Sequence, residues 1–305
     1  FEFIVAQCRL PWLLVFLIPV MPIPIILTDL VAFLLYALIG AYFWQNKWKK
    51  PQTDLNPENN GQKSAISGWM RYALLIPLVL HAWILYQSIL ADEGLRFGLG
   101  NAVSLIVWLT AFIYWILSFF NRLQGLQFLI APIAIVAAVA VLLPLIFPSS
   151  RVLGNTELPA FKAHLLGAML AYSLLTIAAF HAMLMIVVER HLHHPAGHLA
   201  LVNLPPLLVM ERLLFRIIGA GFILLTLTLV SGIFFSTEVF GQPFTFTHKT
   251  FFGVVSWSVF AALLAGRPVY GWRGRIAIRW TRTGFMILLL AYIGSKFVLE
   301  IILNR

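Results

Sequence analysis

His164 and His248 stand at the entrances of two separate apolar runs, and their type and placement make them the first candidates for chemistry in this chain. A neutral imidazole at a membrane edge can ligate a metal or a haem iron, and it is also an ordinary interfacial residue. The choice turns on whether both runs open from the same side of a membrane. Two further histidines lie inside apolar runs: His81, and His181, which follows His164 by 17 residues and so sits roughly 25 Å deeper. A buried histidine is commonly a hydrogen-bonded contact between helices, with a second ligand pair or a relay as the sharper reading. Lys296 and Glu300, four residues apart, share a helix face and suit an ion pair; Lys296 could instead meet an anionic group of a ligand.

These residues are carried by a chain that is 61% hydrophobic and 10% charged, with a mean hydropathy of +0.92, too little polar surface for a soluble domain of 305 residues. The expected fold is all-α, a polytopic transmembrane helix bundle. Runs of roughly 20 apolar residues, enough to cross about 30 Å of hydrocarbon, fall near 24–44, 69–90, 97–119, 125–147, 164–187, 214–235, 248–265 and 283–303, about eight spans.

Basic residues orient the bundle. Lys47, Lys49, Lys50, Lys63 and Arg71 lie between the first two runs, and Arg267, Arg273, Arg275, Arg279 and Arg282 between the last two, which predicts that these connections are cytoplasmic. Alternation then puts Arg122 and the stretch with Arg190, Arg212 and Arg216 inside, and the connections near Asp92, Asn155 and Gln242 outside. Both termini are expected to face outward, and the two runs headed by His164 and His248 open from the same outer side. The net charge of +10 is accounted for by short loops facing an anionic inner leaflet, so the lipid bilayer, and no nucleic acid, is the expected partner.

One cysteine, Cys8, excludes an internal disulfide and a Cys-x-x-Cys pair, so any haem would be held non-covalently. Residues 1–20 contain the short run Leu10–Val20, broken by Pro11 and Pro19 and without a small-residue cleavage site. They read as an upstream extension or interfacial segment, with residues 21–305 forming one transmembrane domain. The stretch Lys49 to Ser67 has the composition of a solvated linker. A second inner loop, expected from Glu189 to Glu211, carries His191, His193, His194 and His198 and reads as a solvated turn ended by Pro195 and Gly197.

Several segments resemble, in the same order, the CcsA-type cytochrome c assembly family: the run from Arg216 (RIIGAGFILLTLTLVSGIFF), the loop Gly271-Trp272-Arg273-Gly274, and Ala291-Tyr292-Ile293-Gly294. His164 with Tyr172 in HLLGAMLAYS is similar to that family's outer histidine and its Ser-Tyr helix. Gly100-Asn101 with Ser104 and Trp108 is similar to its preceding Ser-Asn element. The likeness covers roughly residues 97–303 and is nearest to the YpjD and HemX-like branch. It implies a haem-handling protein of the inner (cytoplasmic) membrane, in which outer histidines ligate haem beside a Trp-Asp-Pro segment that presents it for cytochrome c maturation.

The corresponding stretch here, Phe244-Thr245-Phe246-Thr247-His248-Lys249, has no Trp or Asp, although Lys249 and Trp257 keep step with the pattern; no counterpart of the family's second outer histidine occurs between the last run and Arg305. The expectation is therefore a non-enzymatic haem-binding factor. His164 and His248 are its candidate iron ligands, Phe246 and Trp257 its apolar wall, Lys296 its carboxylate contact, and His81 and His181 a second possibility. A haem protein or a membrane complex is the expected partner. The alternative is a transporter or scaffold subunit without haem, although no internal repeat of the kind transporters show is visible. No nucleophile and base constellation and no paired carboxylates fall on a shared face, which argues against catalysis.

Overall fold

The computed structural model describes residues 23–45, 68–91, 94–119, 129–148, 152, 158–192, 206–234, 236 and 247–294. Nine α-helices carry the described fold: α1 (Ile23–Phe43), α2 (Gly68–Ile89), α3 (Leu99–Leu117), α4 (Ile130–Val141), α5 (Leu143–Ile146), α6 (Pro159–Leu192), α7 (Leu207–Phe234), α8 (His248–Tyr270) and α9 (Arg275–Leu289). A π-helical turn, Leu290–Gly294, continues α9. The only extended pairing among the described residues is a minimal hairpin, β1 (Leu90–Ala91) with β2 (Gly94–Leu95), and one bridge from Arg96 to Val152.

The helices form two groups. α1, α2, α3 and α4 pack in a closed cycle, each on the next and α4 back on α1; α6, α7, α8 and α9 do the same, and α3 against α6 joins the two. In the second cycle α6 and α8 are therefore diagonal, with α7 and α9 between them. Sequence order equals packing order in each cycle, in keeping with the tendency of consecutive elements to be neighbours in space.

Among the described residues six helices are long and apolar enough to cross a membrane: those over residues 25–43, 72–89, 99–117, 159–190, 207–233 and 248–270. The fourth expected span is a shorter apolar stretch, Ile130–Ile146, interrupted at Leu142. Pro144 explains the break, because it has no N–H to donate to the carbonyl four residues earlier and its ring crowds the preceding turn. The last expected span begins in α9 and the π turn, and residues 295–305, with Lys296 and Glu300, lie outside the described residues. So do residues 1–20 and most of the two loops read as inner.

The Glu189–Glu211 loop is shorter than expected. α6 runs on to Leu192 and α7 starts at Leu207, so both glutamates belong to helices. At 34 residues α6 is about 51 Å long, well beyond one hydrocarbon thickness, and its ends stand in the polar zones.

Apolar side chains cover both surfaces of the helices. Leu27, Leu34 and Leu38 of α1 and Ile223 and Leu227 of α7 are exposed, as lipid-facing residues must be, while the centre is filled by side chains such as Leu175, Ile177, Leu214, Ile218, Phe260 and Leu263. Between helices the contacts are small or polar. Gly221 lets Leu175 of α6 approach, with the position of an added Cβ only 2.9 Å from its Cδ2. Ser256 of α8 donates to the Gly284 carbonyl of α9 at 2.9 Å.

Candidate functional site

At the N-terminal end of α6, His164 turns toward the last turns of α7, where its Nδ1 lies 2.8 Å from the Ser231 hydroxyl. Gly232 makes room for the ring: a Cβ there would stand 3.3 Å from His164 Cε1. One turn further into α6, Gly167 faces Thr228. The ring is thus oriented by α7 through a hydroxyl and seated beside a residue without a side chain.

His248 is the first residue of α8, after the N-cap Thr247, whose Oγ1 accepts from the Thr250 amide. It is exposed, and it makes no hydrogen bond or ion pair among the described residues. Trp257, nine residues on, donates from Nε1 to Thr226 Oγ1 of α7 at 2.9 Å and stacks on Phe222 with ring centroids 5.5 Å apart.

The register follows from these contacts. Gly253 of α8 faces Leu229 of α7, His164 of α6 faces Ser231 and Gly232, and α6 and α8 both run opposite to α7. Counting residues along each helix from these pairs puts His164 and His248 at the same end of the second helix group, within about one helical turn of one another in depth. They sit on diagonal helices with the end of α7 between them. The π turn that extends α9 closes the fourth side, through Tyr292 against Tyr172 of α6 at 5.8 Å. Phe246 and Lys296 lie outside the described residues.

His81 and His181 are elsewhere and in different company. His81, fully buried in the first group, has Nε2 2.8 Å from the Ser104 hydroxyl of α3 and its ring edge-on to Tyr36 of α1 at 5.9 Å. His181, also fully buried, donates from Nε2 to the Met210 carbonyl of α7 at 2.9 Å. Both therefore join neighbouring helices. In each ring Nδ1 has no partner, and the same holds for the Tyr36 hydroxyl and Asp29 Oδ1. Among the described residues no three His, Cys, Asp or Glu side chains gather as a metal site.

The Gly100-Asn101-Ser104-Trp108 element is an interhelical strip. Asn101 Nδ2 donates to the Ser88 carbonyl at 3.1 Å and the Arg96 carbonyl at 2.9 Å, Ser104 meets His81, and Trp108 Nε1 donates to the Leu78 carbonyl at 2.9 Å. The Gly271–Gly274 loop is a tight turn requiring glycine at both ends, with φ of 66° and 53°. Two glutamates hold it: Glu211 of α7 accepts from the Gly274 amide at 2.9 Å, and Glu189 of α6 pairs with Arg275. Sequence reasoning passed over Ser231, Glu189 and Glu211. A lone serine in an apolar helix and two glutamates bordering a basic loop were the available signals.

A family model described as Cytochrome C assembly protein matches residues 69–303. The chain belongs to the cytochrome c assembly protein family. Inner membrane protein YpjD of Escherichia coli K12 is 32% identical over 242 residues, which cover 77% of this chain and 89% of that protein. Two cytochrome c biogenesis proteins CcsA match over shorter stretches. That of Trichodesmium erythraeum is 34% identical over 90 residues, 30% of this chain and 26% of its own length; that of Prochlorococcus marinus strain MIT 9215 is 36% identical over 89 residues, 29% of each. No solved structure matches. The six apolar spans and the similarity to an inner membrane protein make this family member a multi-pass protein of the inner membrane.

Proposed function

We propose that this family member is a non-enzymatic haem-handling factor, holding haem non-covalently at the end of the second helix group through His164 and His248. The observation that carries the reading is that His164, in the second turn of α6, and His248, the first residue of α8, stand at the same end and nearly the same depth, on either side of α7. Two imidazoles so disposed can approach a flat ligand from opposite sides.

The residues present fit such a group. Ser231 engages His164 Nδ1, the outer contact that fixes ring orientation when Nε2 serves as the ligating atom. Gly232 keeps the space beside the ring open. Trp257 and Phe222 form a stacked apolar wall roughly two to two and a half turns deeper, suited to a porphyrin edge. Haem, if bound, would supply an iron centre that imidazole nitrogens can ligate, and His164 and His248 would be the residues to hold it. The chain's own part is to orient the imidazoles, to exclude water with aromatic side chains, and to leave an edge accessible to a partner, a haem protein or a membrane complex.

The orientation belongs to the same proposal: the connections rich in Lys and Arg lie in the cytoplasm, so the His164 and His248 end faces outward.

The test is the visible spectrum of the protein purified from haem-replete membranes. A Soret band with sharp reduced bands is expected, weakened or reshaped in His164→Ala and in His248→Ala and much less altered in His81→Ala or His181→Ala. A colourless protein that also fails to take up added haem overturns the proposal and leaves the transporter or scaffold reading. A spectrum lost only with His81 or His181 moves the site into the bundle.

A further inference from the structure

At the opposite end of the second helix group from His164, the last turns of α6 and the first turns of α9 enclose a cleft of about 590 Å³. Its walls carry Arg190, Arg275, Arg279 and Arg282, with Glu189 as the one acid and Ile186 and Ile278 as the apolar floor. Glu189 is engaged by Arg275. Arg190, Arg279 and Arg282 have no carboxylate partner among the described residues, and three positive charges remain in excess. Like charges crowded around one cavity repel, and the arrangement is eased by an anion between them.

We propose that this cleft binds the headgroup of an acidic phospholipid. Depth is the first argument. The apolar span of α6 ends at Arg190, and after Arg282 the described part of α9 and its π turn carries no further charge. The arginines therefore sit where both helices pass from apolar to polar, the level of lipid phosphates in a bilayer.

The second argument is what continues from the cleft toward the bilayer centre. On α9, Arg275, Arg279, Arg282, Met286 and Leu290 follow at spacings of four, three, four and four residues, one stripe that changes from cationic to apolar. On α6, Arg190, Ile186 and Met183 repeat the change in the other direction along the chain. Met183, Met286 and Leu290 are 41%, 51% and 54% exposed. A small soluble anion would need only the arginines. A lipid needs the arginines for its phosphate and this pair of apolar tracks for its chains, which decides between the two sources. Three unpaired guanidinium groups suit a headgroup with two phosphates better than one with a single phosphate.

The experiment uses the full-length protein in a mild detergent, exposed to tetraoleoyl cardiolipin, dioleoyl phosphatidylglycerol or dioleoyl phosphatidylcholine and read by native mass spectrometry. Retention is expected in the order cardiolipin, phosphatidylglycerol, phosphatidylcholine. Arg279→Gln with Arg282→Gln should weaken cardiolipin retention about 30-fold, two charges at the usual interfacial worth. Arg212→Gln, exposed on α7 and outside the cleft, should leave it unchanged. If the double variant does not accumulate, Arg190→Gln alone is measured and should weaken retention about fivefold. Equal retention by the cleft variants and the parent overturns the proposal. Displacement of cardiolipin by an equal concentration of inorganic pyrophosphate overturns the lipid as occupant in favour of a soluble anion.

Discussion

Replacing Gly100 by Ala sets two effects of opposite sign against each other at a position that supports the polar strip of α3. Alanine is a better helix former than glycine, which favours the variant by at most about 1 kcal/mol in the second residue of α3. The space does not allow it. The added Cβ would lie 2.5 Å from the Leu143 carbonyl oxygen and 2.8 Å from that of Phe147, both backbone atoms of the α5 region that no rotamer change can remove. Overpacking of this kind costs about 1–3 kcal/mol, and it acts on a break in the helix already imposed by Pro144. The balance is a loss of about 1–2 kcal/mol, a midpoint lowered by roughly 2–6 °C for a chain of this size. Gly219→Ala in α7 is the matched control, since nothing stands within 4 Å of its added Cβ and only the propensity term remains. Thermal unfolding of both variants in the same detergent, followed by circular dichroism, measures the difference. A Gly100→Ala protein as stable as the Gly219→Ala protein would refute the close packing of α3 on α5.

Ser104→Ala removes the hydroxyl partner of a fully buried His81 and is expected to destabilise by about 1–3 kcal/mol, whereas Ser258→Ala, whose hydroxyl is exposed on α8, should change the same unfolding midpoint by less than a degree or so. Trp257→Phe keeps an aromatic ring against Phe222 but loses the bond to Thr226, a cost of about 1 kcal/mol in the same assay; Thr226→Val should cost about as much, and the two together no more than either alone. Reporter fusions at Asn59, Pro195 and Gly271 are expected to read cytoplasmic and a fusion at Asn155 external, and the reverse result would turn the His164 end inward.

Class was legible because it rests on bulk properties: a chain this apolar cannot bury its surface in water, and in hydrocarbon a helix satisfies the backbone within its own segment. The start of α8 was legible for a related reason, since His248 heads both its apolar run and its helix, whereas α6 begins at Pro159, five residues before His164. Boundaries were less legible. Glu189 and Glu211 looked like loop residues by charge, yet each is taken up by a partner on a distant segment, Arg275 and the Gly274 amide, so the helices extend past the apolar limit. No local pattern carries that information, because the partners are 86 and 63 residues away. Pro144 was the opposite case, a visible breaker inside a run long enough to be taken as one span.

The buried histidines show how far composition can be pressed. His81 and His181 are alike in sequence, each a lone imidazole in an apolar run, and a polar side chain there must find a partner among neighbouring helices or become very costly. Which partner it finds depends on which helix the fold puts alongside: a serine hydroxyl from α3 for His81, a main-chain carbonyl at the start of α7 for His181. The carbonyl can only accept, so His181 carries its proton on Nε2 and presents a bare Nδ1 to the interior, while the hydroxyl allows His81 either tautomer. His164 shares the hydroxyl type of contact but uses the other ring nitrogen and stands at the rim. The three histidines thus have three different hydrogen-bonding states. Only the rim histidine combines an oriented ring with a small neighbour at the mouth of a helix group, and that is why the functional proposal rests there and not on the histidines buried more deeply.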